Sequence, residues 1–532
     1  MIHNRRRSTW AHALCGAMLL WCVAAENGVA ENSALNFARA SITTGELKEH
    51  AEVLADDTLE GREAGSRGGR AAAKYIIGSL KEAGIDPAGL NDQYTQPFSG
   101  NFQNLLAVIP GTDVALGQEY IVVGAHYDHV GYGNRRNSYG PWGFIHNGAD
   151  DNASGVAALL EVIDGLSRST WRPRRSILFA FWDAEEKGLL GSKHWVSHPT
   201  VPLSAVRLAI NIDMVGRLTD GRIEVGGTRS GLGFRRLMSS TLLEDNLWLD
   251  YAWELEDNSD HWTFFQAGIP SLFAHTGVHD DYHRPSDDAE KLNVEGIGHV
   301  SRYLLEQITK LADEEQLPQF RAESRSESNR TRKRYERPLP NLPPRVGLTW
   351  SFRTGDPAYL LVKRVLPRTA AWQAGVRNGD EIVAVNGLPI VNESVFPAVV
   401  LQANSEVRLT VRRKQFGQTD AAELQSIDVA LTGRPIQLGL SWREDQAEPG
   451  SVYVTRVIPY SPASRAGVAV LDRIYAVQGE PILGTDDLMS RIQVLLDEQA
   501  AEVQLLVESR GKLQEVSIPL ELPLAETDDR SL

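Results

Sequence analysis

Between about residue 45 and residue 311, short apolar runs alternate with stretches of helical periodicity, and this alternation restricts the chain more than any other feature. The runs are QNLLAVI (103–109), YIVVGA (120–125), SILFAFW (176–182), VRLAINI (206–212) and SLFA (271–274). Their brevity and uniform hydrophobicity suit strands buried on both faces. Between them Val156, Leu159, Leu160 and Ile163 recur at helical spacing, and 290–311 reads as a further helix. Alternation of this kind predicts a three-layer α/β/α domain around a mostly parallel central sheet. A chain of 532 residues is too long for that domain alone, at roughly 100–200 residues per domain.

The N-terminus has the layout of an export signal. Arg5, Arg6 and Arg7 precede an apolar segment from Ala11 to Ala25, with small residues at Ala25 and Ala30. About fifteen apolar residues fall short of the ~20 that a bilayer span needs. Residues 1–30 are therefore expected to be a cleaved signal peptide. The mature protein would be periplasmic or secreted, with no stable membrane span. Cys15 and Cys22 are the only cysteines, and both lie in this segment. A mature chain without thiols forms no disulfide, and any metal site must use His, Asp and Glu. The net charge of −15 speaks against a nucleic-acid partner.

The remainder divides by composition. Residues 31–312 carry the α/β pattern, and 313–344 are charged and end Pro-rich (RAESRSESNRTRKRYERPLPNLPP), which reads as a tether. An internal repeat follows at 345–433 and 434–523, then an acidic tail, 524–532. VGLTW pairs with LGLSW, and YLLVKRVLPRTAAWQAGVRNGDEIVAVNG with VYVTRVIPYSPASRAGVAVLDRIYAVQG. Both copies are mostly β, and Asn386-Gly387 is a hairpin-turn signal. These segments resemble PDZ domains. The resemblance implies that an extended peptide adds as a strand, its carboxylate held by the loops Val346-Gly347-Leu348 and Leu438-Gly439-Leu440.

Five acidic or histidine clusters lie in the α/β region, most of them at predicted strand ends, where open α/β sheets bind ligands. They are His126-Tyr127-Asp128-His129, the stretch GADDNASG (148–155), Asp183-Ala184-Glu185-Glu186, Asp213 in NIDMVGR, and DDYHRP (280–285). Each alone has an ordinary reading, as a helix cap, a surface turn or a loop ion pair. Together they supply carboxylates and imidazoles in numbers that suit two zinc ions. Asp128, two residues beyond His126, is placed to fix that histidine's tautomer.

The same segments resemble the zinc aminopeptidase and glutamate carboxypeptidase-like metallopeptidases of clan MH. The likeness runs in order through LADDTLEGREAGSRGGRAAAKYI, NLLAVIPG, GAHYDHVG, GADDNASG, DAEEKGLLGS, NIDMVGR, SDHWTFFQAGIPS and DYHRPSDD. It implies that Asp151 bridges two zinc ions, with His126 and Asp213 completing one site and Glu186 and His283 the other. Glu185 would be the general base, Asp128 the residue that orients His126, and Tyr282 an oxyanion donor. The implied substrates are peptides or proteins with free N-termini, favoured over C-terminal substrates by the acidic stretch WELEDNSD (253–260) around Glu254, Glu256 and Asp257. A carboxypeptidase, a one-zinc glutaminyl-cyclase-like acyltransferase and an inactive PDZ-based binding protein are the alternatives.

Overall fold

The computed structural model describes residues 33–520 except 245, 356 and 415–421. The expected signal segment 1–30 and the acidic tail 524–532 lie outside the described residues. The chain forms two compact units, the first running through Arg332 and the second beginning at Lys333.

The first unit is built on nine strands: β1 (Asp86–Pro87), β2 (Thr95–Phe98), β3 (Phe102–Ile109), β4 (Tyr120–His126), β5 (Ser176–Trp182), β6 (Val206–Ile212), β7 (Arg222–Gly226), β8 (Trp248–Ala252) and β9 (Ser271–His275). They are ordered β1-β3-β5-β4-β6-β9-β7-β8, with β2 on β3. The centre, β5-β4-β6-β9, is parallel. The flanks turn antiparallel at β3–β5 and β7–β9, so the sheet is mixed where a mostly parallel one was expected. Among the flanking strands, β7 and β8, parallel to each other, alternate polar and apolar residues, as half-covered strands do.

Alternation along the central strands builds two cores. In β5, Ile177, Phe179 and Phe181 face one side, where they pack with helices Thr44–Leu54, Gly155–Arg168 and Val294–Asp313. Leu178, Ala180 and Trp182 face the other, against Trp195 and Phe264 of helices Leu190–Ser197 and His261–Gln266. A period of two gives each face of a strand its own layer, and the three-layer α/β/α fold follows.

The expected tether from residue 313 does not begin there. Phe320 packs on Phe265, and Glu327 receives both Arg229 and Arg321 at 2.6 Å. Burial works against the Glu327 carboxylate, yet the two guanidinium groups hold it below its usual range. Low apolar content had marked this stretch as solvated, but an ion-pair cluster and one aromatic contact attach it. Glu327→Ala would remove the carboxylate shared by two nearly buried arginines, so a loss of about 3–5 kcal/mol is expected. Urea unfolding measures it, and an unchanged midpoint would mean that the segment contributes no packing.

In the second unit, Leu348–Arg353, Tyr359–Val365, Glu381–Val385, Glu406–Lys414 and Ala422–Ala430 form one antiparallel sheet. Leu440–Glu444, Val452–Val457, Arg473–Val477, Glu502–Ser509 and Lys512–Pro519 form another in the same order. Even the irregularities repeat: register shifts fall at Thr349/Trp350 and Ile382/Ala384, and again at Ser441/Trp442 and Ile474/Ala476. Each sheet closes over its own core, around Leu360, Ile382 and Leu409 in one and Val452, Ile474 and Leu505 in the other.

Candidate metal centre

Strand ends bring the clusters together. β4 ends on His126, β5 runs into Asp183–Glu186, and β6 into Asp213. The turn before helix Gly155–Arg168 carries Asp151, and the loop after β9 carries His283. Asp151 stands between two groups. Its Oδ1 lies 3.3 Å from His126 Nε2, which is 3.2 Å from Asp213 Oδ1. Its Oδ2 lies 3.0 Å from His283 Nε2, which is 3.2 Å from Glu186 Oε1. Donors about 2.0–2.1 Å from a tetrahedral zinc stand about 3.3 Å apart, so these spacings fit one ion on each side. Asp150 is turned away, accepting hydrogen bonds from Ser154 Oγ and the Gly216 N–H.

The buried polar atoms supply an independent test of fit. Asp151 Oδ2 and Glu186 Oε1 have no hydrogen-bond partner among the described residues, nor does either ring nitrogen of His129. Buried polar atoms without partners are costly, and a cation at their focus relieves that cost. His129 Nδ1 stands 2.9 Å from Glu186 Oε1 and 3.7 Å from Asp151 Oδ2, within the second group. His129 lies in the same HYDH run as His126, but its spacing alone gives it no role.

The charge of the site calls for cations. Burial opposes protonation of His283, but Asp151 and Glu186 push it up to about 11. Burial likewise opposes protonation of His126, and Asp213, Glu185 and Asp151 carry it well above its usual range. Burial, reinforced by Glu186, Asp260 and Asp213, raises the Glu185 carboxyl, the direction required of a base at neutral pH. The Tyr282 phenol is pushed far upward by burial and by the carboxylates around it. It therefore stays protonated, able to donate a hydrogen bond.

The supporting residues differ in part from expectation. His126 Nδ1 bonds the Asp128 carbonyl at 3.1 Å, while the Asp128 carboxylate lies 3.8 Å away and accepts the Glu185 N–H at 3.0 Å. Asp128 thus positions His126 through its backbone and Glu185 through its side chain. Ser259 donates to Asp213 Oδ2 at 2.7 Å. Asp287, fully buried, accepts the N–H groups of Asp150 and Asp151. Arg62, also buried, donates to the carbonyls of Leu54, Tyr127, Asn147 and Gly148. Of these three, Ser259 opens SDHWTFFQAGIPS, Asp287 lies near the end of DYHRPSDD and Arg62 sits within LADDTLEGREAGSRGGRAAAKYI, but nothing in their spacing reveals their partners.

Of the acidic stretch 253–260, Asp260 is the member whose charge acts on Glu185 and is opposed by Asp213; burial raises it to about 6. Glu254 instead accepts the Asn329 N–H. The loop 132–147 is tied to the centre, because Ser138 Oγ and the Tyr139 N–H both donate to the His283 carbonyl. It presents Tyr139, Trp142 and Phe144 to solvent.

In the second unit, Val346, Gly347 and Leu348 line a cavity with Trp350, Phe396 and Val400. Gly347 has φ +81°, and a Cβ there would meet Thr369 at 2.2 Å. Leu438, Gly439 and Leu440 occupy the matching place, with Gly439 at φ +88° against Ser461. Glycine is required at both positions by backbone conformation and by space.

Comparison with known proteins gives two family matches: residues 104–308 to peptidase family M28, and residues 361–413 to the PDZ domain. A probable glutamate carboxypeptidase, LAMP1 of Arabidopsis thaliana, is 32% identical over 150 residues, 26% of this chain and 20% of that protein. Leucine aminopeptidase 1 of Grosmannia clavigera is 28% identical over 271 residues, 47% of this chain and 63% of that protein. The chain thus spans less than two thirds of either relative. The crystal structure of the LapA aminopeptidase of Legionella pneumophila aligns with 22% identity over 54% of this chain and 75% of that one, at a TM-score of 0.44.

Proposed function

With residues 104–308 a peptidase family M28 domain, we propose that this protein is a two-zinc aminopeptidase that removes N-terminal residues from peptides. One observation carries the reading: a single carboxylate, Asp151, faces two separate donor sets, with Glu185 beside them. His126, Asp151 and Asp213 would hold one zinc, and Asp151, Glu186 and His283 the other. Zinc bound there supplies Lewis acidity, polarising a scissile carbonyl and acidifying water. Glu185, its backbone fixed by Asp128, takes the proton from the attacking water and delivers it to the departing amine. Tyr282 donates to the oxygen on which negative charge develops.

Removal from the N-terminus is favoured by charge. An α-ammonium needs acidic surroundings, and Asp260 adds a carboxylate to those of Glu185 and Asp213. A terminal carboxylate needs a cation, yet Arg62, Arg217 and Arg284 are all engaged with protein carbonyls or carboxylates. The experiment is a pair of peptides, one with a free amine and one acetylated, with zinc counted in the same preparation. Stepwise cleavage of the free peptide alone, by protein holding two zinc ions and silenced by a chelator, is expected. Cleavage of the acetylated peptide from its C-terminus would replace this reading with carboxypeptidase. The proposal extends to export to the periplasm or beyond on the strength of residues 1–30, and to capture of extended peptides at Gly347 and Gly439. No helix among the described residues is long and apolar enough to cross a membrane.

A further inference from the structure

We infer that His129 is a sixth protein ligand, which makes the two metal sites unequal: three donors at His126, Asp151 and Asp213, but four at His129, Asp151, Glu186 and His283. The inference rests on the two-zinc reading above. Its first support is distance. His129 Nδ1 lies 2.9 Å from Glu186 Oε1 and 3.7 Å from Asp151 Oδ2, bracketing the separation of about 3.3 Å between donors on a tetrahedral zinc.

The second support is orientation. The 2.9 Å approach of His129 to Glu186 does not make a hydrogen bond, and Nδ1 and Glu186 Oε1 both remain without a partner among the described residues. A histidine placed merely to hold Glu186 would aim its N–H at that carboxylate. Two buried atoms in contact yet poorly aligned for a hydrogen bond suit a shared cation, and His283 Nε2 and Asp151 Oδ2 lie within 4.8 Å of both.

The third support is that space is made for the ring. His129 is 1% exposed and meets His283 edge-on, with ring centroids 5.5 Å apart. Gly148 takes φ +56° beside it, and a Cβ at that position would come within 2.5 Å of the imidazole. The backbone of His129 is fixed as well, its N–H donating to the Arg62 carbonyl at 3.3 Å.

Four protein donors close a zinc site, whereas three leave a position open for water or substrate. The four-donor site should therefore retain its ion firmly. The three-donor site, on the side of Glu185 and Asp213, keeps the open position that chemistry requires. Within one centre the chain separates a metal that anchors from a metal that reacts.

The test counts zinc in the full-length protein after dialysis against graded chelator, comparing wild type with His129→Ala, His129→Gln and Asp213→Asn. Glutamine can donate a hydrogen bond to Glu186 but is a poor zinc ligand. Residues one step outside the ligand set already change metal affinity roughly 10–100-fold. Loss of the ligand itself should weaken the firmer site by at least about 100-fold in both His129 variants. Asp213→Asn should keep one firmly held ion, showing that the sites separate and the fold survives. Two zinc ions in His129→Gln with an unchanged chelator midpoint would overturn the inference while leaving the two-zinc reading intact. A wild-type protein that binds no zinc would overturn both.

Discussion

Glu185→Gln is expected to keep its zinc and lose roughly 10²–10⁴-fold in kcat, the usual scale for removal of a general base. The adjacent Glu186→Gln should do the reverse, losing metal first and activity in consequence. The separation follows from how the turn after β5 is held. Asp128 takes the Glu185 N–H at 3.0 Å, while Glu186 Oε1 points to His283 at 3.2 Å. Neighbouring residues in a turn project differently, so one side chain meets the donor set and the other the space beside it. Gln is nearly isosteric with Glu, and the exchange removes basicity with little change in shape. Steady-state kinetics and metal analysis on the same samples decide the matter. Near-normal turnover in Glu185→Gln would assign the proton transfer to another group, and full zinc in Glu186→Gln would remove Glu186 from the ligand set.

Arg62→Met should be the most damaging substitution outside the ligands, costing about 3–5 kcal/mol of stability and much of the bound metal. The guanidinium is 1% exposed and joins carbonyls from three separate stretches of chain: Leu54, Tyr127, and the Asn147-Gly148 turn. Burial lowers its pKa to about 10, an effect that Asp151 and Asp128 partly offset, so the charge persists at neutral pH. Methionine fills the volume but leaves those carbonyls without a donor and the nearby carboxylates without a counter-charge. Arg62→Lys keeps the charge but not the planar fork, and should fall in between. Thermal unfolding and zinc content measure both consequences. A methionine variant that melts like wild type and holds two zinc ions would show that the turn carrying Asp151 is supported some other way.

Short-range rules made much of the fold readable along the chain. Strands covered on both faces must be apolar throughout, which made β3 to β6 and β9 legible from runs of four to seven residues. Parallel strands present their carboxyl ends to one side, so His126, Asp183–Glu186 and Asp213 could be expected to converge before any coordinates were known. The flanking strands β7 and β8 were not legible, because RIEVG and WLDYA are short, half-polar segments with no continuous apolar run.

Tertiary structure decided whatever depended on direction or on distant partners. His126 and His129 share one four-residue run, yet only the path of the loop past Arg62 and Gly148 turns His129 toward Glu186 and Asp151. The two carboxylates of the Asp150-Asp151 pair part because Asp287 fixes both of their N–H groups from over 130 residues away. Residues 316–332 look solvated by composition and pack nonetheless, since Glu327 finds Arg229 and Arg321 in register. Periodicity records how much of a residue is covered and by what kind of neighbour. It does not record which neighbour, because a hydrogen bond or ion pair depends on angles and distances that the whole fold sets.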